Sequence, residues 1–255
     1  PLARVHPLAH SHHRSASDGL MPFLGFRPST NTIAQNGIVV PKIMPAVDTA
    51  PLTAGKPLID LKQIATFFEL HIEQGPTLDS GKNRVGVVTG IRGNYRHKCV
   101  RCIGQTAHSG AVDKQFRHDA VMAFIDLGHR MDQHWDEWLG EGKDLVFTFG
   151  VAKTGPTAAI AIIPGEIDFS VDMRSLSQET LDGFHDLLVK EAEAVGKKRG
   201  VKFEFDRRML CDPLAISPEL VDKLDNLAKE YELPYQRIPS GAGHDSVVFG
   251  MKGVP

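Results

Sequence analysis

The order of hydrophobic periodicities between residues 93 and 210 places the strongest constraint on the fold. Alternating residues predict a strand at 95–103, and apolar residues at helical spacing predict a helix from Asp119 to Leu139. A strand at 144–152 follows, and then β segments at 159–163 and 167–174, separated by a turn or bulge at 164–166. A helix capped by Ser177 and ended by Gly200 precedes a last strand at 201–205. This order predicts a ferredoxin-like βαββαβ unit, with an antiparallel four-stranded sheet and two helices on one face. The other face or an edge would be left for a partner.

Segments on both sides of this unit have a different pattern, so residues 93–210 are interpreted as a domain inserted into another one. A chain of 255 residues is long enough for two structural units. Residues 61–92 and 211–255 flank the insert, and the second of them contains a predicted helix that begins at Ser217.

The first 60 residues are irregular and stay unassigned. Four histidines lie close together there and could bind a metal: His6, His10, His12 and His13. Without a regular element to hold them in place, a flexible tail is the favoured interpretation. Since the chain begins at Pro1 and stops directly after an apolar run, we expect a cut sequence.

Composition and charge argue against two classes of function. Lys and Arg total 29 and Asp and Glu total 31, so a formal net charge of -2 offers no basic field to a nucleic acid. No apolar run approaches the roughly 18 residues that a membrane helix needs, and no signal peptide is recognisable at the start. A cytoplasmic location is therefore the default expectation.

The cysteines are expected to be structural. Cys99, Cys102 and Cys211 are too few, and odd in number, for a disulfide framework. Cys99 and Cys102 form a C-x-x-C spacing, but residues three apart in a strand point to opposite faces and cannot hold one metal.

The string from Glu69 to Pro76 is the first candidate site, because it places a histidine among polar residues. If residues 67–72 form a strand, Glu69 and His71 share one face. The imidazole could bind a metal, and Gln74 could form hydrogen bonds with a substrate. A lone strand histidine without a function is the open alternative.

A loop of small residues is the second candidate site. Residues 240–246 read Ser-Gly-Ala-Gly-His-Asp-Ser and present His244 beside Asp245. Glycines such as Gly243 let the backbone approach a ligand closely, and Asp245 could orient His244. An ordinary turn with a solvated histidine is the alternative.

Two further side chains suit the binding of anionic groups. His108 lies in a loop bounded by Gly104 and Gly110, where its imidazole could stabilise a developing oxyanion. Arg174, in the predicted strand that ends at Ser175, could bind a carboxylate through two parallel hydrogen bonds. A surface ion pair explains Arg174 equally well.

Taken in order, these strings resemble the N-carbamoyl-L-amino-acid amidohydrolase family, which includes β-ureidopropionase and allantoate amidohydrolase and belongs to the two-metal aminoacylase and aminopeptidase superfamily. The string Glu-Leu-His-Ile-Glu-Gln-Gly-Pro at 69–76 is highly specific to this family. Weaker strings follow: Ala-His-Ser-Gly at 107–110, Arg-x-Asp-Ala at 117–120, Ile-Pro-Gly-Glu at 163–166, Asp-Met-Arg-Ser at 172–175 and Gly-Ala-Gly-His-Asp at 241–245. The resemblance runs from about Phe67 to Pro255.

The resemblance implies an α/β fold, with an incomplete two-metal aminopeptidase-like catalytic domain at 61–92 and 211–255. The ferredoxin-like insert would be the lid and would form a homodimer. His71 and His244 would bind metal, in a complete site of two divalent ions, either zinc or manganese, nickel or cobalt. His108 would be catalytic. The substrate-binding residues that it implies are Gln74, His108, Arg174 and Gly243.

The implied activity is metal-dependent hydrolysis of the carbamoyl group of N-carbamoyl amino acids or related small ureido compounds. In the family, upstream strings resembling Gly-Ser-His-x-Asp, Phe-Asp-Gly and Glu-Glu-Gly supply three further ligands and the glutamate base. Residues 1–60 contain none of these, so we expect weak metal binding and little activity. Residues 157–162 also lack the asparagine that binds the substrate carboxylate in many members. The alternatives are an M20-type dipeptidase or aminoacylase, and a truncated paralogue that only dimerises.

Overall fold

The computed structural model describes residues 60–255, which form two compact units. The first unit combines the described residues up to Val87 with Ile216–Gln236 and Ala242–Pro255. The second combines Val88–Ala215 with Arg237–Gly241. The histidine cluster near the start of the chain lies outside the described residues. The assignment of these units to a catalytic domain and an insert stays a prediction.

Helices and strands are mixed along the described chain, which confirms the α/β class. The helices are α1 (Thr77–Ser80), α2 (Ala120–Gly140), α3 (Gln178–Arg199), α4 (Pro218–Glu230) and α5 (Asp245–Gly250). The strands are β1 (Val85–Ile91), β2 (Gly93–Ile103), β3 (Ala107–His108), β4 (Val146–Thr154), β5 (Ile162–Ile163), β6 (Glu166–Ser175), β7 (Lys202–Phe205), β8 (Met209–Cys211), β9 (Leu214–Ala215) and β10 (Tyr235–Ser240). Short 3₁₀ turns cover Leu61–Gln63 and Lys114–Phe116.

The second unit is built on an antiparallel sheet in the order β4-β6-β2-β7, and β8 also pairs with β2. Gly93 lies opposite Ser175 where β2 meets β6, and the register shifts between His97 and Val100. A three-stranded sheet in the order β10-β1-β9 and the two-stranded pair β3-β5 complete the pairing. The order of the main elements is the one that the periodicity predicts.

Alternation along β6 determines which face of the sheet is buried. Its apolar residues pack into the same core as α2 and α3: Ile167, Phe169, Val171 and Met173. On the open face, Asp168 pairs with Arg101 at 3.1 Å and Asp172 pairs with Arg96 at 2.7 Å. Charged pairs therefore lie on the face that was expected to receive a partner.

The predicted helix ends are confirmed by local contacts. Ser177 caps α3 by accepting a hydrogen bond from the Thr180 amide at 3.1 Å, and Gly200 ends the helix with a φ of 66°. Only glycine adopts that left-handed conformation without a steric cost. Helix α4 begins at Pro218, directly after Ser217, as predicted.

The buried face of α2 follows the predicted periodicity with one exception. Leu127 and Met131 are fully buried, and Phe124 packs against the same core. Ile125, an apolar residue in the same helical spacing, is 52% exposed. A residue at the margin of the apolar stripe of a helix can face either the core or the solvent. None of the helices in the described part of the chain is long and apolar enough to cross a membrane.

Two predicted strands differ in the structure. Residues 67–72 have no regular secondary structure, because no described strand lies alongside them; the Phe67 amide donates a hydrogen bond to the Pro255 carbonyl at 2.9 Å. Of the predicted β segment 159–163, only Ile162–Ile163 is a strand, and it pairs with β3 instead of the main sheet. Strand character depends on a neighbouring strand, which local residue types do not specify.

Candidate metal centre

Three side chains of the first unit converge into a group that could hold a metal ion. The ligand atoms of Glu69, His71 and His244 all lie within 4.8 Å of one another. The two imidazole rings meet edge to face, with centroids 4.3 Å apart and an interplanar angle of 76°. The sequence predicted both histidines as ligands but missed Glu69, although its two-residue spacing from His71 was the available signal.

Contacts with the last residues of the chain hold this group together. The rings of Phe67 and Phe249 stack with centroids 4.0 Å apart. Glu69 Oε2 accepts a hydrogen bond from the Ser246 amide at 3.0 Å. These contacts bring the segment that carries His71 next to α5, whose first residue directly follows His244.

Hydrogen bonding determines which nitrogen of His71 is available as a ligand. His71 Nδ1 lies 2.7 Å from the Ile72 carbonyl oxygen, which only accepts hydrogen bonds. The neutral ring therefore carries its proton on Nδ1, and the lone pair of Nε2 is free for a metal. An outer hydrogen bond of this kind is usual for histidine ligands.

Burial favours the neutral form of His244, which is the form that binds a metal. His244 is 7% exposed, and this burial, together with the nearby His71, lowers the pKa of its imidazole; Glu69 acts in the opposite direction. The next residue, Asp245, has a pKa raised by burial and by Glu69. Its buried Oδ1 has no hydrogen-bond partner among the described residues.

The donor set fits a divalent transition metal. Two neutral imidazoles and one carboxylate are common ligands of zinc and its neighbours. Ligand atoms about 2.1 Å from one ion lie at most about 4.2 Å apart, so small side-chain rotations would close the observed group around an ion.

The other polar residues of the 69–76 string serve different purposes. Glu73 accepts hydrogen bonds from the amides of Thr77 and Leu78 at 2.7 and 2.9 Å, and the Leu78 bond is the main cause of its lowered pKa. Gln74 is exposed and has a φ of 57°, a backbone conformation that residues other than glycine rarely adopt. Gly243 is exposed, and a Cβ there would meet nothing within 4 Å. Substrate binding by Gln74 and Gly243 stays a prediction.

His108 lies in the second unit, exposed at the end of β3. Its Nδ1 accepts a hydrogen bond from the Gly110 amide at 3.1 Å. An amide only donates, so the neutral imidazole carries its proton on Nε2. His108 therefore presents a hydrogen-bond donor at its exposed edge, which is the feature that an oxyanion-binding residue needs.

Arg174 lies on the open face of the sheet in the second unit. Its Nε donates to Asp172 Oδ2 at 2.7 Å, and its Nη1 donates to the Gly241 carbonyl. Asp172 also accepts a hydrogen bond from Arg96 at 2.7 Å. The ion pair that the sequence left open is present, and carboxylate binding by Arg174 stays a prediction.

Comparison with known proteins identifies the family. Residues 49–255 match the model of peptidase family M20/M25/M40. Allantoate amidohydrolase of Escherichia coli (strain K12) is 33% identical over 193 residues, which cover 76% of this chain and 46% of that protein. N-carbamoyl-L-amino-acid amidohydrolase of Paenarthrobacter aurescens is 30% identical over 224 residues, which cover 87% of this chain and 52% of that protein.

Solved structures agree with these relatives. A hydantoinase/carbamoylase family amidase from Burkholderia ambifaria superposes with a TM-score of 0.67 at 28% identity, covering 72% of this chain and 44% of that one. The chain thus spans about half the length of the curated relatives it matches. With more than half of its residues matched by the family model, the chain belongs to peptidase family M20/M25/M40.

Proposed function

We propose that this protein hydrolyses the carbamoyl group of N-carbamoyl amino acids or related ureido compounds in a metal-dependent reaction. The convergence of Glu69, His71 and His244 carries the proposal, because it places three candidate ligands within 4.8 Å of one another. The relatives named above act, by their names, on allantoate and on N-carbamoyl-L-amino acids, which share the ureido group.

The metal would be held by the lone pair of His71 Nε2, by the neutral imidazole of His244 and by a carboxylate oxygen of Glu69. We propose two divalent ions in the complete site, either zinc or manganese, nickel or cobalt. When bound, such ions acidify a water for attack on a carbonyl carbon. The second oxygen of Glu69 already accepts the Ser246 amide, which orients the carboxylate.

Other residues of the chain would bind the substrate. The Nε2 proton of His108 would stabilise the negative charge that develops on the ureido oxygen. Arg174 would bind the amino-acid carboxylate through the guanidinium hydrogens that Asp172 and Gly241 leave free. Gln74 would form hydrogen bonds with the substrate amide groups, and the small Gly243 would leave room for it.

The second unit is proposed to be a ferredoxin-like lid and dimerisation domain. The order β4-β6-β2-β7, with α2 and α3 in one core, supports this assignment. A homodimer through this unit and a cytoplasmic location complete the proposal.

Hydrolysis of peptides or acylamino acids is the second candidate, and the family's description as a peptidase family favours it. A diverged protein that only dimerises is the third. The three candidates differ in metal content and in substrate, so one set of measurements separates them.

The test is elemental analysis of the purified chain, with hydrolysis assays on N-carbamoyl-alanine, N-carbamoyl-β-alanine, allantoate, a dipeptide and N-acetyl-alanine in the presence of zinc, manganese or nickel. Bound metal with turnover of a ureido compound supports the proposal. Turnover of the dipeptide or N-acetyl-alanine alone supports the second candidate, and absence of both metal and turnover supports a catalytically incomplete chain or the third candidate. Glu69→Gln should lower metal content, whereas Glu219→Gln, an exposed carboxylate of α4, should not.

A further inference from the structure

Two sequence strings for which the proposed reaction gives no role, Arg-x-Asp-Ala at 117–120 and Ile-Pro-Gly-Glu at 163–166, come together next to the string that contains His108. Strand β5 pairs with β3, so that His108 lies opposite Ile162. The Ser109 amide donates to the Ala161 carbonyl at 3.0 Å. The Gln105 amide donates to the carbonyl of His118, inside the Arg-x-Asp-Ala string, at 2.8 Å. Hydrogen bonds therefore hold the backbone on both sides of His108, through Gln105 before it and through Ser109 after it.

The backbone that follows His108 folds into a tight turn on that residue. The amides of Ala111 and Val112 both donate to the His108 carbonyl, at 3.2 and 3.3 Å. The Gly110 amide donates to the ring nitrogen Nδ1, at 3.1 Å. The orientation and the tautomer of the imidazole thus depend on the conformation of residues 109–112.

Arg117 spans this turn from the other side. Its Nε donates to the Val112 carbonyl at 2.9 Å, and its Nη2 donates to the Ser109 carbonyl at 2.5 Å. Arg117 is half-buried, and none of the described carboxylates pairs with it. Its rigid fork is thus directed at two main-chain carbonyls of a single turn, a geometry that lysine cannot reproduce.

We infer that Arg117 is a positioning residue for His108. By holding the carbonyls of Ser109 and Val112, it keeps the Gly110 amide directed at Nδ1 and so keeps the proton of the neutral ring on Nε2. This role rests on the proposed function of His108 as the donor to the developing oxyanion. A donor held in place before reaction loses no free energy to reorientation during it.

The structural consequence is testable on the chain itself by NMR, without activity. Long-range proton–nitrogen correlation spectra above the titration range of histidine report the tautomer of His108, assigned with His108→Gln. Hydrogen exchange of the Gly110 amide reports the bond to Nδ1. Arg117→Lys should populate both tautomers of His108. It should also raise the exchange rate of the Gly110 amide about tenfold, the change expected when one ordinary hydrogen bond is lost.

Arg101→Lys is the matched control, because Arg101 is a half-exposed arginine of the same unit that pairs with Asp168 and Glu166. It should leave the His108 tautomer and Gly110 exchange unchanged. If Arg117→Lys also leaves both unchanged, Arg117 does not position His108 and the inference fails. A lower melting temperature with an unchanged tautomer would likewise overturn it, since that result describes a purely structural residue.

Kinetics provide a second, separate test wherever the metal-loaded protein turns over a ureido substrate. Arg117→Lys should lower kcat with little change in KM, and it should have no further effect in a His108→Ala background. Additive effects of the two substitutions would contradict positioning through His108. If no turnover is found, the proposed function fails while the NMR result still decides the role of Arg117.

Discussion

His97 and His185 share a hydrogen bond between their Nε2 atoms, which lie 3.0 Å apart in the second unit. Arg208, which only donates, bonds to His185 Nδ1 at 3.2 Å, so the proton of His185 must lie on Nε2. His97 Nε2 accepts the hydrogen bond that His185 Nε2 donates, and His97 Nδ1 donates to Asp206 at 2.9 Å. The chain of bonds runs in one direction and has no place for an additional proton on either ring.

This chain of bonds predicts that the second unit loses stability in mild acid. Burial is the main cause that lowers the pKa of His185, followed by Arg208 and His97; Asp186 acts in the opposite direction. In the unfolded chain a histidine has a pKa of about 6.5. Between that pH and the lower pKa of His185 in the folded protein, the unfolded state binds more protons than the folded state. The stabilisation that neutral His185 contributes to the folded state is complete above about pH 6.5 and is lost as the pH falls below that value.

Thermal unfolding between pH 8 and pH 5 measures this effect. His185→Gln should lower stability at pH 7.5 by about 1–3 kcal/mol, because Arg208 and His97 lose a buried partner, and should flatten the pH dependence. His129→Gln, at an exposed position of α2, should retain the dependence of the parent chain. Equal slopes for the parent chain and His185→Gln would refute this account.

Metal binding should stabilise the first unit. A ligand at about 100 times its Kd adds about 2.7 kcal/mol to the free energy of unfolding. Zinc should therefore raise the melting temperature of the chain, and a chelator should reverse the increase. His244→Ala should abolish the zinc effect, whereas His134→Ala, in α2 of the other unit, should not. A zinc effect that survives in His244→Ala would place the metal elsewhere.

Gly165 should tolerate no side chain. A Cβ at this position would lie 2.5 Å from both the amide nitrogen and the hydroxyl of Thr106. Gly165→Ala should therefore destabilise the protein by about 1–3 kcal/mol, the usual cost of overpacking. Gly140→Ala is the control, because a Cβ in that last residue of α2 meets nothing within 4 Å. Urea unfolding of both variants checks the prediction, and equal midpoints would contradict it.

Cys102 should be the least reactive of the three thiols. It is fully buried, and burial raises its pKa to about 12. At pH 8 only about one thiol in ten thousand would be a thiolate, which is the form that reacts. Titration with a thiol reagent, followed by peptide mapping, should label Cys99 and Cys211 before Cys102. Labelling of Cys102 at the rate seen in urea would show that the core opens readily.

The sequence by itself determined the features that depend on neighbours within a few residues. Two of these features depend on contacts three or four positions apart, namely the cap at Ser177 and the helix end at Gly200. The third is the two-residue alternation of buried side chains along β6. The candidate ligands His71 and His244 were recognisable from specific strings.

Only the tertiary structure decided which distant groups meet. Glu69 contacts Ser246 across 177 positions, and this contact, which the spacing of Glu69 from His71 does not specify, brings its carboxylate to the two histidines as a third candidate ligand. The partners of His185 are brought to it by a strand and by the segment between β7 and β8, and the role of Arg117 depends on where the turn after His108 folds. Periodicity specifies the face on which a side chain lies, whereas its partner is selected by the packing of all elements together.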